Sequence, residues 1–324
     1  MSSEVHALQE IRKILLAFDV MRTLCSSLIA LSLVVMSAPS AGTAAAKKLV
    51  AHRGASAYAP EHTLASYRLA LQQKADFVEQ DLAVTKDLVL ICLHDESLER
   101  TTNVEDVFPD RAVVDPETGK KQWLAVDFTL AEIKNLDAGS WFDARFAGER
   151  IPTWEEAVAF VGTAAGLYPE LKTPALYRAR GIDQTALFVE SIKKLNLQSR
   201  PAGSLIVQSF DAQPLKDLTR LLPSLPRVFL IDNRDGQRWL TDSGLTEIAT
   251  FATGIGPAKA LLDGHPEIVK AAHTRKLTVT PYTFTTRSPL GAGRFTSIGD
   301  EMRYYLTELD VDALFTDNPD RFPR

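Results

Sequence analysis

Short apolar runs alternate along most of the chain with longer stretches in which apolar residues recur at helical spacing. The runs with strand character are residues 49–52, 77–84, 88–94, 167–172, 205–210, 228–231, 252–255, 277–282 and 313–316. The stretches with helix character include 63–73, 154–163, 184–195 and 266–275. Strands that alternate with helices predict an α/β fold with a parallel sheet, and eight such units in about 250 residues is the size of a TIM barrel.

One pair of predicted strands does not fit a regular barrel. Only residues 85–87 separate the run 77–84 from the run 88–94. A crossover between parallel strands needs about a dozen residues. We therefore predict a somewhat distorted barrel in which one of these two strands is distorted or accessory.

The N-terminal region has the pattern of a signal peptide. An uncharged apolar segment, 24–36, follows Arg22, and small residues at 44–46 supply a cleavage pattern. A transmembrane helix needs about 20 apolar residues, whereas a signal-peptide core needs about 7–15. We expect residues 1–46 to be removed on export to the periplasm or medium, with Met21 as a candidate true start. An uncleaved N-terminal anchor is the alternative; after cleavage we expect no stable membrane span.

Composition narrows the classes of partner. The 324 residues include 36 basic and 41 acidic side chains, a net charge of −5, without a basic block. Binding to nucleic acid is not expected, because it needs concentrated Lys and Arg. Cys25 would leave with the signal peptide, so Cys92 is left alone and no intramolecular disulfide is expected in the mature chain. The composition does not indicate the oligomeric state.

Residues 103–150 interrupt the alternation of strands and helices. The segment is rich in Asp and contains six aromatic residues: Phe108, Trp123, Phe128, Trp141, Phe142 and Phe146. We interpret it as an insertion on a loop at one end of the barrel. Its aromatic residues are expected to form a small core of their own, with a substrate-contacting surface as the alternative.

Polar side chains concentrate where the predicted strands end, which is where barrels build their active sites. His52 and Arg53 follow the first strand, and this pair suits binding and protonation of an anion. Glu79 and Asp81 stand at i and i+2 of a strand and therefore share a face. If they point inward, a cation must neutralise them, and oxygen ligands favour Ca²⁺ or Mg²⁺. A solvated outward pair is the alternative.

Two later strands extend this set. Glu170 and Lys172 repeat the i, i+2 spacing with one carboxylate and one ammonium, for which a simple salt bridge is the alternative. His94 and Asp95 end another strand, and Asp95 can restrain the loop or the ring. Metal-assisted attack on a phosphate ester is the reaction class that uses the whole set.

The chain resembles the glycerophosphodiester phosphodiesterases in motifs that run through residues 47–324. The early ones are His52-Arg53-Gly54-Ala55, Pro60-Glu61-His62-Thr63, Glu79-Gln80-Asp81, Leu93-His94-Asp95 and Arg100-Thr101-Thr102. The later ones are Pro169-Glu170-Leu171-Lys172, Gln208-Ser209-Phe210-Asp211, Gly254-Ile255-Gly256-Pro257, Pro281-Tyr282-Thr283 and Phe315-Thr316-Asp317. The insertion is similar to that of the exported, periplasmic branch of the family.

The resemblance implies a function and a role for each candidate residue. The fold would be a TIM barrel, and the reaction would be hydrolysis of glycerophosphodiesters, such as glycerophosphocholine or glycerophosphoethanolamine, in glycerol and lipid metabolism. Roles are implied for eight residues: His52 and His94 as the acid–base pair, Arg53 and Lys172 on the phosphate, Glu61 ordering the site, and Glu79, Asp81 and Glu170 binding one divalent cation. That cation would be Ca²⁺, with Mg²⁺ as the alternative. Which histidine is acid, whether water or a substrate hydroxyl attacks, and the headgroup preference all stay open.

Three positions depart from the family pattern. His62 stands where the family often has Asn, and we interpret it as a structural residue near the site. Lys74 and Leu88 replace glycines that the family usually has in turns, which puts the shape of those turns in doubt.

Two other functions stay open at this point. One is a periplasmic or surface binding protein on the same barrel with lost or marginal catalysis, and the other is a phospholipase acting on intact lipid. The presence of both histidines favours the hydrolase over a binding protein. The mature chain shows no evident amphipathic membrane element, which counts against the phospholipase.

Overall fold

The computed structural model describes residues 46–324, together with residues 10, 12 and 13. The predicted signal peptide, 1–46, lies outside the described residues except at those three positions and its last residue. Among the residues described, no helix combines the length and apolar character needed to cross a membrane.

Eight parallel strands form a nearly closed barrel, as the alternating pattern predicts. In spatial order they run β10-β9-β8-β7-β6-β2-β1-β11. The strands are β1 (Lys48–Ala51), β2 (Phe77–Val84), β6 (Gly166–Leu171), β7 (Val207–Ser209), β8 (Arg227–Ile231), β9 (Gly254–Pro257), β10 (Thr278–Val279) and β11 (Ala313–Thr316). The fold is therefore a TIM barrel, and the carboxyl ends of its strands meet at one face.

The barrel closes between the segment that follows β10 and the last strand. The N–H of Asp312 donates to the carbonyl of Val279 at 2.9 Å, and the N–H of Phe315 donates to the carbonyl of Pro281 at 3.0 Å. A parallel bridge pairs Phe284 with Thr316. Because β11 also pairs with β1, the last strand lies beside the first.

The two closely spaced strand predictions resolve into a hairpin. Strand β3 (Leu90–Cys92) pairs antiparallel with β2 and lies outside the eight-strand path. The short connection at 85–87 therefore joins antiparallel neighbours and needs no crossover. Of the two strands in conflict, 88–94 contains the accessory one.

Eleven α-helices are assigned among the described residues, most of them on the outside of the barrel. They are α1 (Leu64–Gln72), α2 (Val104–Val107), α3 (Leu130–Ile133), α4 (Trp154–Val161), α5 (Pro174–Ala179), α6 (Gln184–Lys194), α7 (Ala212–Leu221), α8 (Gly236–Trp239), α9 (Asp242–Ile248), α10 (Pro266–Thr274) and α11 (Ile298–Thr307). Several begin at capping side chains: Thr63 accepts from the N–H of Ser66, and Thr153 forms a capping box with Glu156. These caps satisfy N–H groups that the first helical turn leaves unpaired.

Alternation along the strands separates two apolar layers. The outward residues of the strands pack against the helices in the largest cluster, which includes Val78, Leu82 and Trp154. The inward residues form a small cluster inside the barrel: Val50, Phe77, Tyr168, Val228, Ala313 and Phe315. The interior is therefore packed, and polar side chains are left to the ends of the strands.

The insertion packs around a third apolar cluster. Trp123 and Phe128 are buried there with Ile91 and Leu93 from the β3 region, beside the short hairpin of β4 (Val113–Val114) and β5 (Lys121–Gln122). Other aromatic residues of the insertion are more exposed; the exposed fraction of Trp141 is 37%. The segment thus shares an apolar core with the β2–β3 region, and it also exposes part of its aromatic side chains.

Lys74 and Leu88 occupy turns in the left-handed region of φ, at +62° and +63°. This conformation is strained for residues with a Cβ and unstrained for glycine. Both turns therefore hold a strained backbone at a residue that carries a side chain.

Candidate active site

The inward face of β2 changes from apolar to acidic toward the carboxyl end of the strand. Phe77 belongs to the cluster inside the barrel, and Glu79 and Asp81 follow it at steps of two residues. Both carboxylates are buried, with 1% of each residue exposed. The inward orientation is therefore the observed one, and a solvated outward pair is excluded.

Arg53 connects the end of β1 to these carboxylates. Its φ of +57° turns the backbone so that its own N–H donates to Oε2 of Glu79 at 2.7 Å. Its Nη1 donates to Oε1 of Glu61 at 3.0 Å, and its Nε lies 3.5 Å from Oδ2 of Asp81. The guanidinium thus lies against two carboxylates, and a third holds the backbone of the same residue.

Glu170 and Lys172 bring the next strand to the same place. Glu170 pairs in register with Asp81 across β2 and β6, and Lys172 Nζ lies 3.5 Å from Oε1 of Glu170. Glu170 is buried and about 15% of the Lys172 side chain is exposed. Glu170 and Lys172 therefore form a salt bridge, and this salt bridge lies inside the site, so the two interpretations of the sequence do not exclude each other.

His52 is held by the last strand. Its Nδ1 lies 2.7 Å from Oδ1 of Asp317, and the hydroxyl of Ser56 donates to the same oxygen at 3.1 Å. Asp317 directly follows β11, the neighbour of β1, and is 8% exposed. Because Nδ1 is paired with Asp317, Nε2 is the ring nitrogen that can contact a ligand in the site.

His94 is held by its sequence neighbour and by a chain of ion pairs. Its Nδ1 lies 2.6 Å from Oδ1 of Asp95, and Arg100 Nε donates to the other oxygen of Asp95. The two Nη atoms of Arg100 donate to Glu61 at 3.0 and 2.7 Å. Because Glu61 also accepts from Arg53, one ionic network joins His94 to Arg53.

A pocket of about 160 Å³ opens among these side chains. Seven of the eight predicted site residues line it: His52, Arg53, Glu79, Asp81, His94, Glu170 and Lys172. The eighth, Glu61, lies behind Arg53 and orders it through their ion pair. The remaining lining residues are Gln208, Phe210, Leu230, Tyr282, Thr283 and Phe315.

The pKa values of both histidines lie below the usual value of an imidazole. Burial lowers the pKa of His52, and the positive charge of Arg53 lowers it further, against the opposing effect of Asp317. Burial also lowers the pKa of His94, with Arg53 and Lys172 acting in the same direction and Asp81 and Asp95 opposing. A neutral imidazole can accept a proton, and its protonated form can donate one.

The carboxylates carry more negative charge than their surroundings neutralise. Burial and the charge of Asp81 raise the pKa of Glu79 well above its usual range, and the same causes raise the pKa of Glu170 to about 8 despite Lys172. Three buried carboxylates face two side-chain cations, Arg53 and Lys172. This donor set fits a divalent cation, and oxygen ligands are those that Ca²⁺ and Mg²⁺ prefer.

His62 lies next to the same carboxylates. One ligand atom each from His62, Glu79 and Asp81 lie within 4.8 Å of one another, so these three residues could hold a metal ion. However, Nε2 of His62 is 2.8 Å from Oδ2 of Asp81, and its Nδ1 is 3.0 Å from the hydroxyl of Tyr67. With both ring nitrogens paired, His62 orients Asp81, which agrees with its interpretation as a structural residue.

The structure adds residues to which the sequence analysis gave no role. Asp317 holds His52, Arg100 links Asp95 to Glu61, and Gln208 lines the pocket. A signal for Asp317 was available, since the ends of the first and last strands of a closed barrel are neighbours. Arg100 lies in a loop beyond the accessory strand; it belongs to the family motif Arg100-Thr101-Thr102, but residue spacing gave no signal for its ion pairs.

Comparisons with known proteins agree with this site. A family model described as the glycerophosphoryl diester phosphodiesterase family matches residues 52–321. A glycerophosphodiester phosphodiesterase of Bacillus subtilis (strain 168) is 36% identical over 282 residues, which cover 84% of this chain and 84% of that protein.

Two solved structures resemble the fold. A glycerophosphodiester phosphodiesterase of Agrobacterium tumefaciens is 27% identical with a TM-score of 0.64, covering 86% of this chain and 99% of that one. A phosphodiesterase of Oleispira antarctica, solved with the product sn-glycerol-3-phosphate, is 26% identical with a TM-score of 0.66, covering 85% of this chain and 94% of that one.

The barrel and its polar strand ends define a phosphodiester-cleaving enzyme of the TIM-barrel class. The chain belongs to the glycerophosphoryl diester phosphodiesterase family.

Proposed function

We propose that the enzyme hydrolyses glycerophosphodiesters to sn-glycerol 3-phosphate and an alcohol, with one divalent cation and with His52 and His94 as the acid–base pair. The observation that carries the proposal is that both histidines line one pocket with Arg53, Lys172 and the buried carboxylates. The product bound to the Oleispira antarctica relative supports the substrate class.

The substrate phosphate would bind to Arg53 and Lys172, while Glu79, Asp81 and Glu170 would hold the divalent cation. That cation would supply Lewis-acid stabilisation of charge on the phosphoryl oxygens. Arg53, fixed by Glu61 and by its own N–H on Glu79, presents its guanidinium without having to reorganise. Fixed charge of this kind stabilises a transition state better than flexible charge.

The two histidines divide the proton transfers. One, neutral because its pKa is lowered, accepts the proton of the attacking oxygen at a ring nitrogen. The other, protonated, donates to the leaving alkoxide. Each Nδ1 is paired with a carboxylate, Asp317 or Asp95, so each ring offers Nε2 to the substrate.

The activity is tested with purified protein and glycerophosphocholine, by coupling product formation to glycerol-3-phosphate dehydrogenase. We expect turnover that EDTA abolishes and that added Ca²⁺ restores, with Mg²⁺ in a parallel arm to compare the two ions. Turnover insensitive to EDTA would exclude the metal role. No turnover with either cation would contradict the hydrolase and favour a binding protein.

We also propose that the protein is exported. The support is the apolar segment 24–36 and the small residues at 44–46 that follow it. Cell fractionation and N-terminal sequencing of the recovered protein test this. We expect a chain that begins near residue 47 outside the cytoplasm, and a cytoplasmic chain that retains residues 1–46 would contradict the proposal.

A further inference from the structure

Gln208 carries a buried amide whose oxygen is unpaired. Only 2% of the residue is exposed, and within the part of the chain that the structure describes its Oε1 has no hydrogen-bond partner. Buried amide groups are normally paired, because leaving one unpaired costs free energy. The unpaired oxygen therefore needs an explanation.

The amide points into the pocket of the active site. Gln208 pairs in register with Glu170 on one side and with Val228 on the other. Glu170 lines the pocket and Val228 belongs to the cluster inside the barrel, so all three face inward. Gln208 itself lines the pocket.

Gln208 lies between a charged part and an apolar part of the pocket. Its register partner Glu170 is charged, whereas Phe210, which follows the same strand, and Leu230 on the neighbouring strand β8 form an apolar wall with Tyr282. Thr283 is a further polar residue of the lining. A ligand group that meets this wall would combine carbon atoms with a neutral polar group.

We propose that Gln208 binds a hydroxyl group of the glycerol moiety of the substrate, an inference that rests on the proposed function. A hydroxyl both donates and accepts hydrogen bonds, and the amide offers an acceptor in Oε1 and donors in Nε2. The carbon chain of glycerol would contact the apolar wall. Gln208 would thereby distinguish a glycerol phosphate from an alkyl phosphate of the same length.

A different role for the amide is that of an additional oxygen ligand to the cation, since Ca²⁺ accepts amide carbonyls. The two roles predict different effects of replacing Gln208 on binding. A cation ligand would change the affinity for Ca²⁺ in the absence of any organic ligand, whereas a residue that binds hydroxyl groups would not.

The experiment measures binding by isothermal titration calorimetry in the presence of Ca²⁺, with sn-glycerol 3-phosphate and propyl phosphate as probes. Propyl phosphate has the same carbon chain without hydroxyl groups. We expect the wild-type protein to prefer sn-glycerol 3-phosphate. Gln208→Met should weaken that binding about three- to tenfold, the effect of one lost hydrogen bond, and leave propyl phosphate unchanged.

Gln184 provides a matched control. It is a glutamine with the same 2% exposure and, among the described residues, a buried Oε1 that likewise has no hydrogen-bond partner. Its Nε2 donates to the carbonyl of Leu82 at 2.8 Å, and it does not line the active-site pocket, so it differs from Gln208 in location. Gln184→Leu should leave both affinities unchanged. Thermal melts should show no loss of stability in Gln208→Met, because the substitution removes an unpaired polar group. Gln208→Leu is the second variant should the first fail to fold.

Several outcomes would overturn the proposal. They are a wild-type protein without preference for sn-glycerol 3-phosphate, equal weakening of both probes, no weakening of either, a lowered melting temperature in both Gln208 variants, and a reduced Ca²⁺ affinity without organic ligand. Failure of the proposed function is a separate result, because it would appear as absent turnover of glycerophosphocholine while the difference between the two probes persisted.

Discussion

The two histidines of the site are held by different parts of the fold. His52 follows a barrel strand, and its partner Asp317 follows the neighbouring barrel strand, with 11% of the Asp317 side chain exposed. His94 follows the accessory strand β3, and its partner Asp95 has 29% of its side chain exposed. The pairing of the neighbouring strands β1 and β11 positions the first pair, and a loop positions the second.

The same arrangement, an imidazole with a carboxylate at Nδ1, is therefore held by different contacts in the two parts of the fold. Beside His52, Ser56 gives Asp317 a second hydrogen bond within the barrel. Beside His94, the ion pairs of Arg100 with Asp95 and Glu61 hold the loop in place. The His94 side is therefore held by partly exposed ion pairs and the His52 side by buried hydrogen bonds.

Removing either imidazole ring should have the largest effect on activity, because it eliminates one of the two proton-transfer groups being compared. We expect His52→Ala and His94→Ala each to lower kcat at least about a hundredfold, because both proton transfers need a positioned group. The coupled glycerophosphocholine assay measures the loss. His265→Ala is the matched control, since that ring is exposed, pairs with Glu267 and does not line the pocket. Near-normal rates in either variant would show that its histidine is not an acid or base.

Neutralising each partner carboxylate should separate the two sides. Asp317→Asn should lower kcat about ten- to a hundredfold, the range for a buried hydrogen bond that involves a charged group. Asp95→Asn should lower it only about two- to fivefold, because solvent screens the more exposed pair. Steady-state kinetics compare them, and an effect of Asp95→Asn as large as that of Asp317→Asn would contradict the distinction.

Arg100 tests whether the His94 side depends on its ion pairs. Arg100→Met should lower kcat/KM by about twofold to fivefold, because Asp95 and Glu61 each lose a partner. The Arg100 hydrogen bonds help to hold the pKa of Glu61 at about 2, and that pKa should rise in the variant. Arg111→Met, which breaks the surface pair with Glu132, is the control and should not change kcat/KM.

The pH profile should identify which side supplies the base. A base must be unprotonated, and the pKa values of both histidines are lowered, so the acid limb of kcat/KM should lie below pH 6.5. Asp317 raises the pKa of His52 and Asp95 raises that of His94. Replacing the partner of the base by Asn should therefore move this limb to lower pH, and replacing the other partner should not. A shift to higher pH would contradict the assignment.

The smallest expected effect is on stability, and it concerns the turn of the β2–β3 hairpin that leads to His94. Leu88→Gly should relieve the left-handed φ of +63° and raise the free energy of unfolding by about 1 kcal/mol, with kcat unchanged. Chemical denaturation measures this change. Val114→Gly, an equally simple removal of an exposed side chain from a strand, should be destabilising. A loss of stability in Leu88→Gly would mean that the side chain stabilises the turn.

Much of the barrel and of the site is predictable from the sequence because the signals are local. The i, i+2 spacing places Glu79 beside Asp81 and Glu170 beside Lys172, and strand ends meet at one face of a barrel. Barrel closure extends this logic to Asp317. The ion pairs of Arg100 and the unpaired amide of Gln208 depend on how loops and side chains pack in three dimensions, which residue spacing does not specify.

The segment that contains the insertion begins and ends at neighbouring backbone positions, on the accessory strand β3 and just before α4. The N–H of Cys92 donates to the carbonyl of Pro152 at 2.9 Å, and Ile91 pairs with Thr153. Because the two ends are fastened to each other, the entropy of closing the loop grows only slowly with its length. Changes of length in exposed parts of residues 103–150, such as the β4–β5 hairpin, should therefore cost little stability. The buried residues Trp123 and Phe128 of this segment cannot be exchanged in the same way, because they pack against Ile91 and Leu93 next to His94.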